Sequence, residues 1–206
     1  MIDSSLSLEL ADVELSRGGR VLIDGLSLSL HPGQLGLLMG PNGTGKTSLL
    51  RAIAGLARPG RGSIRFDGTE LAALTADARR AIAYQGHLEG LKKDLTVEEN
   101  LIFISQIWNS SETISDYLAE LGLRDFAGRL VRQLSAGQKR RVALAGLGIR
   151  RARLWLLDEP LTNLDADGRA LVGRWLDRHL ADGGMALAAT HSAPELERPG
   201  CLLVEL

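Results

Sequence analysis

The chain has 206 residues, of which 45% are hydrophobic and 24% are charged, which is ordinary for one globular domain with a sizeable core. Its formal net charge is −1 at pH 7, so it lacks the basic excess that phosphate-backbone binding needs, and nucleic acid is not expected as a partner. The single cysteine, Cys201, excludes an internal disulfide and favours a reducing compartment. The stretch MIDSSLSLEL has no signal-peptide pattern, and no apolar run approaches the ~18–20 residues that span a bilayer. Membrane contact is therefore expected only through partners.

The first elements are predicted to be strands. Hydrophobic and polar residues alternate over 6–15 and again over 20–30, which predicts an antiparallel hairpin turning at Gly18 and Gly19. The short apolar run LGLLM (35–39) is typical of a buried parallel strand. A helix through KTSLLRAIAGL and a further short strand at SIRFDG are predicted next.

Residues 88–133 differ from the rest of the chain, because their pattern is mostly helical. Thr96 and Glu99 match a T-x-x-E capping box at the start of VEENLIFISQIW, and a second helix is predicted over TISDYLAELGL. No strand is evident in this stretch. We therefore predict an inserted helical subdomain at approximately 88–133.

Strands and helices alternate again after this insertion. We predict helices at 138–150 and 166–181 and strands at 153–158, 185–190 and 201–206. Alternation of this kind favours an α/β fold with a core of parallel strands.

The loop between the strand at 35–39 and the following helix matches G-x-x-x-x-G-K-[ST], a phosphate-binding loop or P-loop. Its glycines let backbone N–H groups converge on phosphate oxygens, and the helix N-terminus adds its positive dipole end. Lys46 is expected at the β- and γ-phosphates, and the Thr47 hydroxyl is a candidate Mg²⁺ ligand. The candidate nucleotide-binding residues are Gly40, Pro41, Asn42, Gly43, Thr44, Gly45, Lys46 and Thr47.

Two acids follow the apolar strand LWLLDEP at 154–160. Asp158 lies at the strand tip, where it can bind Mg²⁺, together with Thr47, as the acid that follows a buried strand does in P-loop enzymes. Glu159 would then lie beside the γ-phosphate, where a carboxylate can act as general base on an attacking water.

The segment LSAGQ (134–138) opens a helix with a Ser and a Gly, which alone indicates only a helix N-cap. Its position between the P-loop and LLDE, however, resembles the signature sequence of ABC ATPases. The family order continues with TNLD (162–165), which looks like the D-loop, and with His191, which looks like the switch histidine. The resemblance covers nearly the whole chain.

This resemblance implies a P-loop NTPase fold of ABC type, with an N-terminal antiparallel β-subdomain and the helical insertion, in one ATP-binding domain over 1–206. In the family, two such domains form a dimer that holds two ATP molecules, each between the P-loop of one domain and the signature of the other. Ser135 and Gly137 would therefore contact ATP on the partner protomer, and Asp165 would couple the sites. His191 would hydrogen-bond the γ-phosphate.

The chain departs from the family pattern at two places. No aromatic residue is present in LSRGGR near the first hairpin, where the family usually stacks one on adenine. Arg17 there either stacks its guanidinium on the base or is a solvated turn charge. At the position of the family's catalytic-loop glutamine, spacing from DLTVEENL favours His87, with Gln85 as the alternative.

The departure at the glutamine position indicates a particular subgroup of the family. The segments GHLEGLKKDLTVEENL (86–101), LSAGQKRRVALA (134–145) and WLLDEPLTNLDADG (155–168) are similar to the ATP-binding subunits of cytochrome c maturation, or haem export, systems. The resemblance implies an ATPase, with ATP and Mg²⁺, that powers a membrane complex which delivers or releases haem for c-type cytochrome assembly. It also implies transmembrane partners that are CcmB-like with CcmC-like, and a peripheral location at the cytoplasmic face of the inner membrane. The alternatives are an ATP-binding subunit for another substrate, a soluble ABC ATPase, and an ATP-binding subunit that has lost hydrolysis and only gates or regulates.

Overall fold

The computed structural model describes residues 7–86, 90–191 and 194–206. Nine strands and six α-helices fall within those ranges. The strands are β1 (Leu8–Arg17), β2 (Arg20–Leu30), β3 (Leu35–Met39), β4 (Arg61–Phe66), β5 (Thr69–Glu70), β6 (Ile82–Gln85), β7 (Leu154–Asp158), β8 (Met185–Ala189) and β9 (Leu202–Glu205). The helices are α1 (Lys46–Ile53), α2 (Ala76–Arg79), α3 (Val97–Trp108), α4 (Ile114–Glu120), α5 (Ala136–Ile149) and α6 (Ala166–Ala181).

A four-stranded antiparallel sheet, in the order β2-β1-β4-β5, contains the predicted hairpin. Arg17 pairs with Arg20 across a two-residue turn in which Gly18 and Gly19 have φ values of 59° and 79°. Positive φ at both turn residues matches the right-handed twist of the strands, and glycine adopts it without a steric penalty. The hairpin prediction is confirmed.

The second sheet has five parallel strands in the order β6-β7-β8-β3-β9. The strands β3, β7 and β8 are neighbours, so the segments that follow their carboxyl ends lie side by side at one edge of the sheet. Ligands of open α/β sheets bind at this edge. The edge carries the P-loop after β3, Asp158 and Glu159 at the end of β7, and His191 after β8.

The three central strands β3, β7 and β8 are buried on both faces, which explains why they are apolar without alternation. Along β7, Leu154 and Leu156 join a core that includes α1 and the antiparallel sheet. Trp155 and Leu157 point the other way, into a core shared with helices α3 to α6. Both faces of the central strands are thus fixed by packing, which holds their carboxyl ends in place.

The structure differs from the prediction most clearly at the start of one helix and in one strand of the parallel sheet. Helix α5 begins at Ala136 rather than 138, because Ser135 caps it: the Ser135 hydroxyl accepts a hydrogen bond from the Gln138 N–H, and the Gln138 side chain accepts one from the Ser135 N–H. Strand β6 was not predicted, although it pairs with β7 and forms one edge of the parallel sheet. Its four residues are too few to show a period.

Helix α3 begins with the predicted capping box. The Thr96 hydroxyl accepts a hydrogen bond from the Glu99 N–H at 3.1 Å, and the Glu99 carboxylate accepts one from the Thr96 N–H at 2.7 Å. The second helix of this part, α4, begins after Thr113, whose side chain makes no capping hydrogen bond. Within the part of the chain that the structure describes, none of the helices combines the length and the apolar character that crossing a bilayer needs.

We expect Thr96→Ala to lower stability by about 1 kcal/mol, because it leaves the Glu99 N–H without its capping partner. For a chain of this size that corresponds to a fall in Tm of roughly 2–4 °C, measurable by circular dichroism. Thr113→Ala is the matched control, since it removes a threonine from an N-cap that makes no side-chain bond. Equal shifts for the two variants would contradict the capping argument.

Candidate nucleotide-binding site

The P-loop ends at Gly45, which caps α1 with φ 113°. A Cβ at this position would lie 3.0 Å from Ile23 and 3.2 Å from Leu22, so strand β2 packs directly against the loop. Lys46, the first residue of α1, is buried, and its Nζ donates to the carbonyl oxygens of Gly40 and Pro41. The ammonium group therefore lies inside the loop, where it can face phosphate oxygens.

Two oxygen ligands suited to Mg²⁺ meet beside the loop. The Thr47 hydroxyl donates to Asp158 Oδ1 at 3.0 Å, although the residues are far apart in sequence. Hydroxyl and carboxylate oxygens are the ligands that Mg²⁺ takes, usually one or two from the protein with the rest from water and phosphates. Tyr84 of β6 also faces Asp158: burial raises the pKa of the Tyr84 hydroxyl, and the nearby carboxylate raises it further. The donor set fits a magnesium ion.

Glu159 follows Asp158 and turns the chain away from the sheet with φ 49°, a left-handed conformation that costs a non-glycine residue energy. Its N–H donates to the Ala189 carbonyl at 2.9 Å, which ties it to the end of β8. Its Oε1 lies 3.2 Å from Nδ1 of His191. The carboxylate and the imidazole therefore meet at the sheet edge, next to Asp158.

The P-loop and the two acids line a cleft of about 380 Å³, within the range of small-molecule sites, and His191 is not among its lining residues. The P-loop and the two acids form one end. Arg17 and Leu22, from the first hairpin, line the same cleft. The predicted residues Lys46, Thr47, Asp158 and Glu159 are thus brought together, and the cleft includes the position at which the sequence lacks an aromatic residue.

The signature residues lie on a different surface. Ser135, Gly137 and Asp165 line a second depression of about 320 Å³, which shares no described lining residue with the P-loop cleft. A Cβ on Gly137 would lie 2.9 Å from the carbonyl oxygen of Asn163, so the D-loop packs closely on helix α5.

Asp165 joins the D-loop to the signature helix. Its Oδ1 accepts hydrogen bonds from the Gly168 N–H at 2.9 Å and from Arg141 at 2.8 Å. These two hydrogen bonds, that from the Gly168 N–H having the larger effect and that from Arg141 the smaller, lower the pKa of the Asp165 carboxyl, so the group stays ionised. Signature and D-loop therefore form one surface on the chain.

Of the two candidates for the catalytic-loop position, the structure describes Gln85 but not His87. Gln85 is buried as the last residue of β6 and is absent from the described lining of the P-loop cleft. His87 lies outside the described residues, so its prediction stays a prediction. Sequence reasoning missed Arg140, a buried arginine of α5 that donates to backbone carbonyls beside Glu159.

The P-loop cleft at the edge of a parallel sheet, with a separate signature surface and an antiparallel sheet packed on the core, defines a P-loop ATPase of ABC type. Comparison with known proteins agrees: a profile of the ABC transporter family matches residues 23–162. The solved structure of an ATP-binding subunit of an ABC transporter superimposes with a TM-score of 0.81 at 26% identity, over 89% of this chain and 79% of that one.

Curated relatives place the chain in one subgroup of this family. The chain is 45% identical to the cytochrome c biogenesis ATP-binding export protein CcmA of Methylococcus capsulatus, over 94% of each chain. It is 42% identical to CcmA of Nitrosospira multiformis, over 97% of this chain and 98% of that one. The chain belongs to the ABC transporter family and, within it, to the CcmA proteins.

Proposed function

We propose that this chain hydrolyses ATP to power a membrane ABC complex in cytochrome c maturation, in which haem is delivered or released for assembly of c-type cytochromes. The observation that carries the proposal is the 45% identity to a CcmA protein over 94% of both chains. The grouping of Lys46, Thr47, Asp158 and Glu159 around one cleft supports the ATPase part. We take the whole of 1–206 as one ATP-binding domain, with approximately 88–133 as its helical subdomain.

The P-loop residues are proposed to hold the triphosphate. Lys46 places its charge at the β- and γ-phosphates, and the backbone N–H groups at the start of α1 add the dipole of the helix. Thr47 and Asp158 would hold Mg²⁺, which when bound neutralises charge on the transferred phosphoryl group.

Glu159 is proposed as the general base that takes a proton from the attacking water. His191, 3.2 Å from the Glu159 carboxylate, would hydrogen-bond the γ-phosphate and so align the carboxylate with it. His87 remains our candidate for the catalytic-loop position, where it would orient the same water.

A homodimer is proposed because the chain carries the two halves of an ATP site on separate surfaces. The P-loop cleft and the signature depression share no described lining residue. A second copy facing the first would place Ser135 and Gly137 of one chain against the triphosphate held by the other. Asp165, fixed to the signature helix by Arg141, would then move with that helix.

Membrane attachment is proposed to run through transmembrane subunits, CcmB-like with CcmC-like, at the cytoplasmic face of the inner membrane. Helix α3 supports this. Ile102, Phe103 and Ile107 are all more than a third exposed, and Phe103 and Ile107 lie one turn apart on one face. An exposed apolar strip on a helix is suited to a short helix of a membrane partner.

Covalent attachment of haem to this subunit is not expected. The chain has one cysteine, so it contains no C-x-x-C-H haem-attachment motif. Its proposed task is to supply the conformational work, either for haem movement or for release of a haem-loaded chaperone by its partners.

The test is purification of the tagged chain from detergent-solubilised membranes with ATP, followed by mass spectrometry of co-purifying proteins and measurement of the haem absorbance band. We expect small multi-pass subunits together with haem or a haem chaperone. Multi-pass partners without a haem component would indicate that the chain belongs to an ABC transporter for another substrate. Recovery from the soluble fraction without membrane partners would indicate a soluble ABC ATPase.

The docking surface is tested in the same experiment with Phe103→Asp combined with Ile107→Asp. We expect loss of the multi-pass partners in a protein that stays folded, since both side chains are more than a third exposed. The Tm should fall modestly, because the Phe103 ring also packs under Lys92 Nζ. Leu56→Asp, which charges an exposed leucine in the turn after α1, is the control and should keep the partners. Retention of the partners by the α3 variant would remove α3 from the docking surface.

A further inference from the structure

Arg140 is the buried cation of helix α5, with only 4% of its surface exposed. It lies on the helix opened by the signature residue Ser135, about one turn beyond the cap. A charged guanidinium in the interior requires hydrogen-bond partners for its N–H groups, since leaving them unpaired is costly. The hydrogen-bond partners of Arg140 therefore indicate its role.

Four of those partners are backbone carbonyls from two other segments. Arg140 Nη2 donates to Asp158 at 3.1 Å and to Glu159 at 2.9 Å, and Nε donates to Pro160 at 3.3 Å. Nη1 donates to Gly86 at 3.1 Å, just after β6. One side chain thus joins the signature helix to the end of β7 and to the end of β6.

The β7 contacts surround the strained residue. Glu159 holds a left-handed φ of 49°, and a conformation of this kind persists only when its surroundings over-determine it. The Glu159 N–H donates to the Ala189 carbonyl, and the Glu159 carbonyl accepts from Arg140 at 2.9 Å and from the Thr162 N–H at 3.2 Å. These bonds hold the peptide groups on both sides of the Glu159 Cα, the atom from which the carboxylate side chain projects.

A contact route also leads to Arg140 from the exposed face of α3. Ile104 of α3 packs on Gly146 of α5 so closely that a Cβ on Gly146 would lie 2.7 Å from it. Direct packing of α3 on α5 therefore joins the helix with the exposed apolar residues to the helix that carries Arg140.

We propose that Arg140 is a positioning residue that holds Glu159 in its working conformation and links that conformation to the placement of the signature helix. The proposal rests on the proposed function, in which Glu159 is the general base. The planar, five-donor guanidinium is required, because a lysine ammonium has three donors at one point and cannot reach carbonyls on both strand ends.

The test is Arg140→Lys in the membrane complex, with ATP turnover measured by phosphate release. We expect kcat to fall about 10- to 100-fold while KM for MgATP changes less than about 3-fold, because the P-loop is untouched. Arg150→Lys is the matched control: Arg150 caps the same helix at its other end, is partly buried, and lies over Trp108. It should lose stability without loss of kcat.

A double variant distinguishes a role of Arg140 that acts through Glu159 from a purely structural role of Arg140. If Arg140 acts through Glu159, adding Arg140→Lys to Glu159→Gln should lower the residual single-turnover rate less than about 2-fold, because residues that act as a unit are non-additive. Multiplication of the two losses, or wild-type kcat in Arg140→Lys, would overturn the proposal.

Arg140→Gln covers the case in which the lysine variant does not fold, since it removes the buried charge but keeps two N–H donors. It should give the same loss of kcat, and failure of both variants to fold would assign Arg140 to stability alone. Unchanged turnover in Glu159→Gln would instead remove Glu159 as the general base, and this positioning role with it.

Discussion

Glu159→Gln is expected to lower ATP turnover by about 10²- to 10⁴-fold, the usual contribution of a general base. The amide keeps the size of the side chain and its contact with His191, but it cannot accept the proton of the attacking water. Nucleotide binding should persist, because Lys46, Thr47 and Asp158 are intact. The closed dimer should therefore accumulate with MgATP and be visible as a doubled mass in light scattering.

The control is Glu70→Gln, which neutralises an exposed carboxylate in β5 that pairs only with Arg65 among the described residues. Its turnover should match the wild type. A Glu159→Gln protein that stays monomeric with MgATP would contradict the dimer proposal. One that retains full turnover would remove Glu159 as the base.

Lys46→Ala is expected to weaken nucleotide binding by about 10- to 100-fold and to abolish measurable turnover at ordinary ATP concentrations. Hydrogen bonds to charged groups contribute about 1.5–3 kcal/mol, which corresponds to this range. The change also leaves the carbonyls of Gly40 and Pro41 without the ammonium that now bridges them. The measurement is titration of the purified chain with MgATP in a calorimeter.

Lys93→Ala, at an exposed position before α3, is the matched control for loss of one positive charge. Its affinity for MgATP should stay within about 2-fold of the wild type. Undiminished turnover in Lys46→Ala would exclude the P-loop from the mechanism.

Local patterns in the sequence predict the parts of this fold that depend on neighbouring residues. The glycines and lysine of the P-loop, the apolar run of β7 and the Thr96–Glu99 capping box are each readable within about ten residues. The strand and the capping box are confirmed, because the same residues that form the pattern form the structure. Helix 166–181 agrees with α6 to the residue for the same reason: Asp165 caps it by accepting from Gly168.

The parts that the sequence does not reveal depend on distant contacts. Strand β6 is recognised only by its ladder with β7, some seventy positions away. Arg140, within the run QKRR, has the pattern of a solvated charge on a helix, and nothing near it in sequence indicates that Gly86 and Glu159 will surround it. The separation of the signature surface from the P-loop cleft likewise follows from the tertiary arrangement of α5 on the sheet.

The left-handed backbone at Glu159 implies a conflict between durability and catalysis. Six described non-glycine residues have positive φ: four are Asn or Asp, which tolerate it, and the others are Arg151 and Glu159. A glycine at 159 would relieve the strain and would suit a protein selected only to resist heat. It would also remove the carboxylate. Thermostabilising substitutions are therefore expected to be harmless over much of this chain and self-defeating at the end of β7.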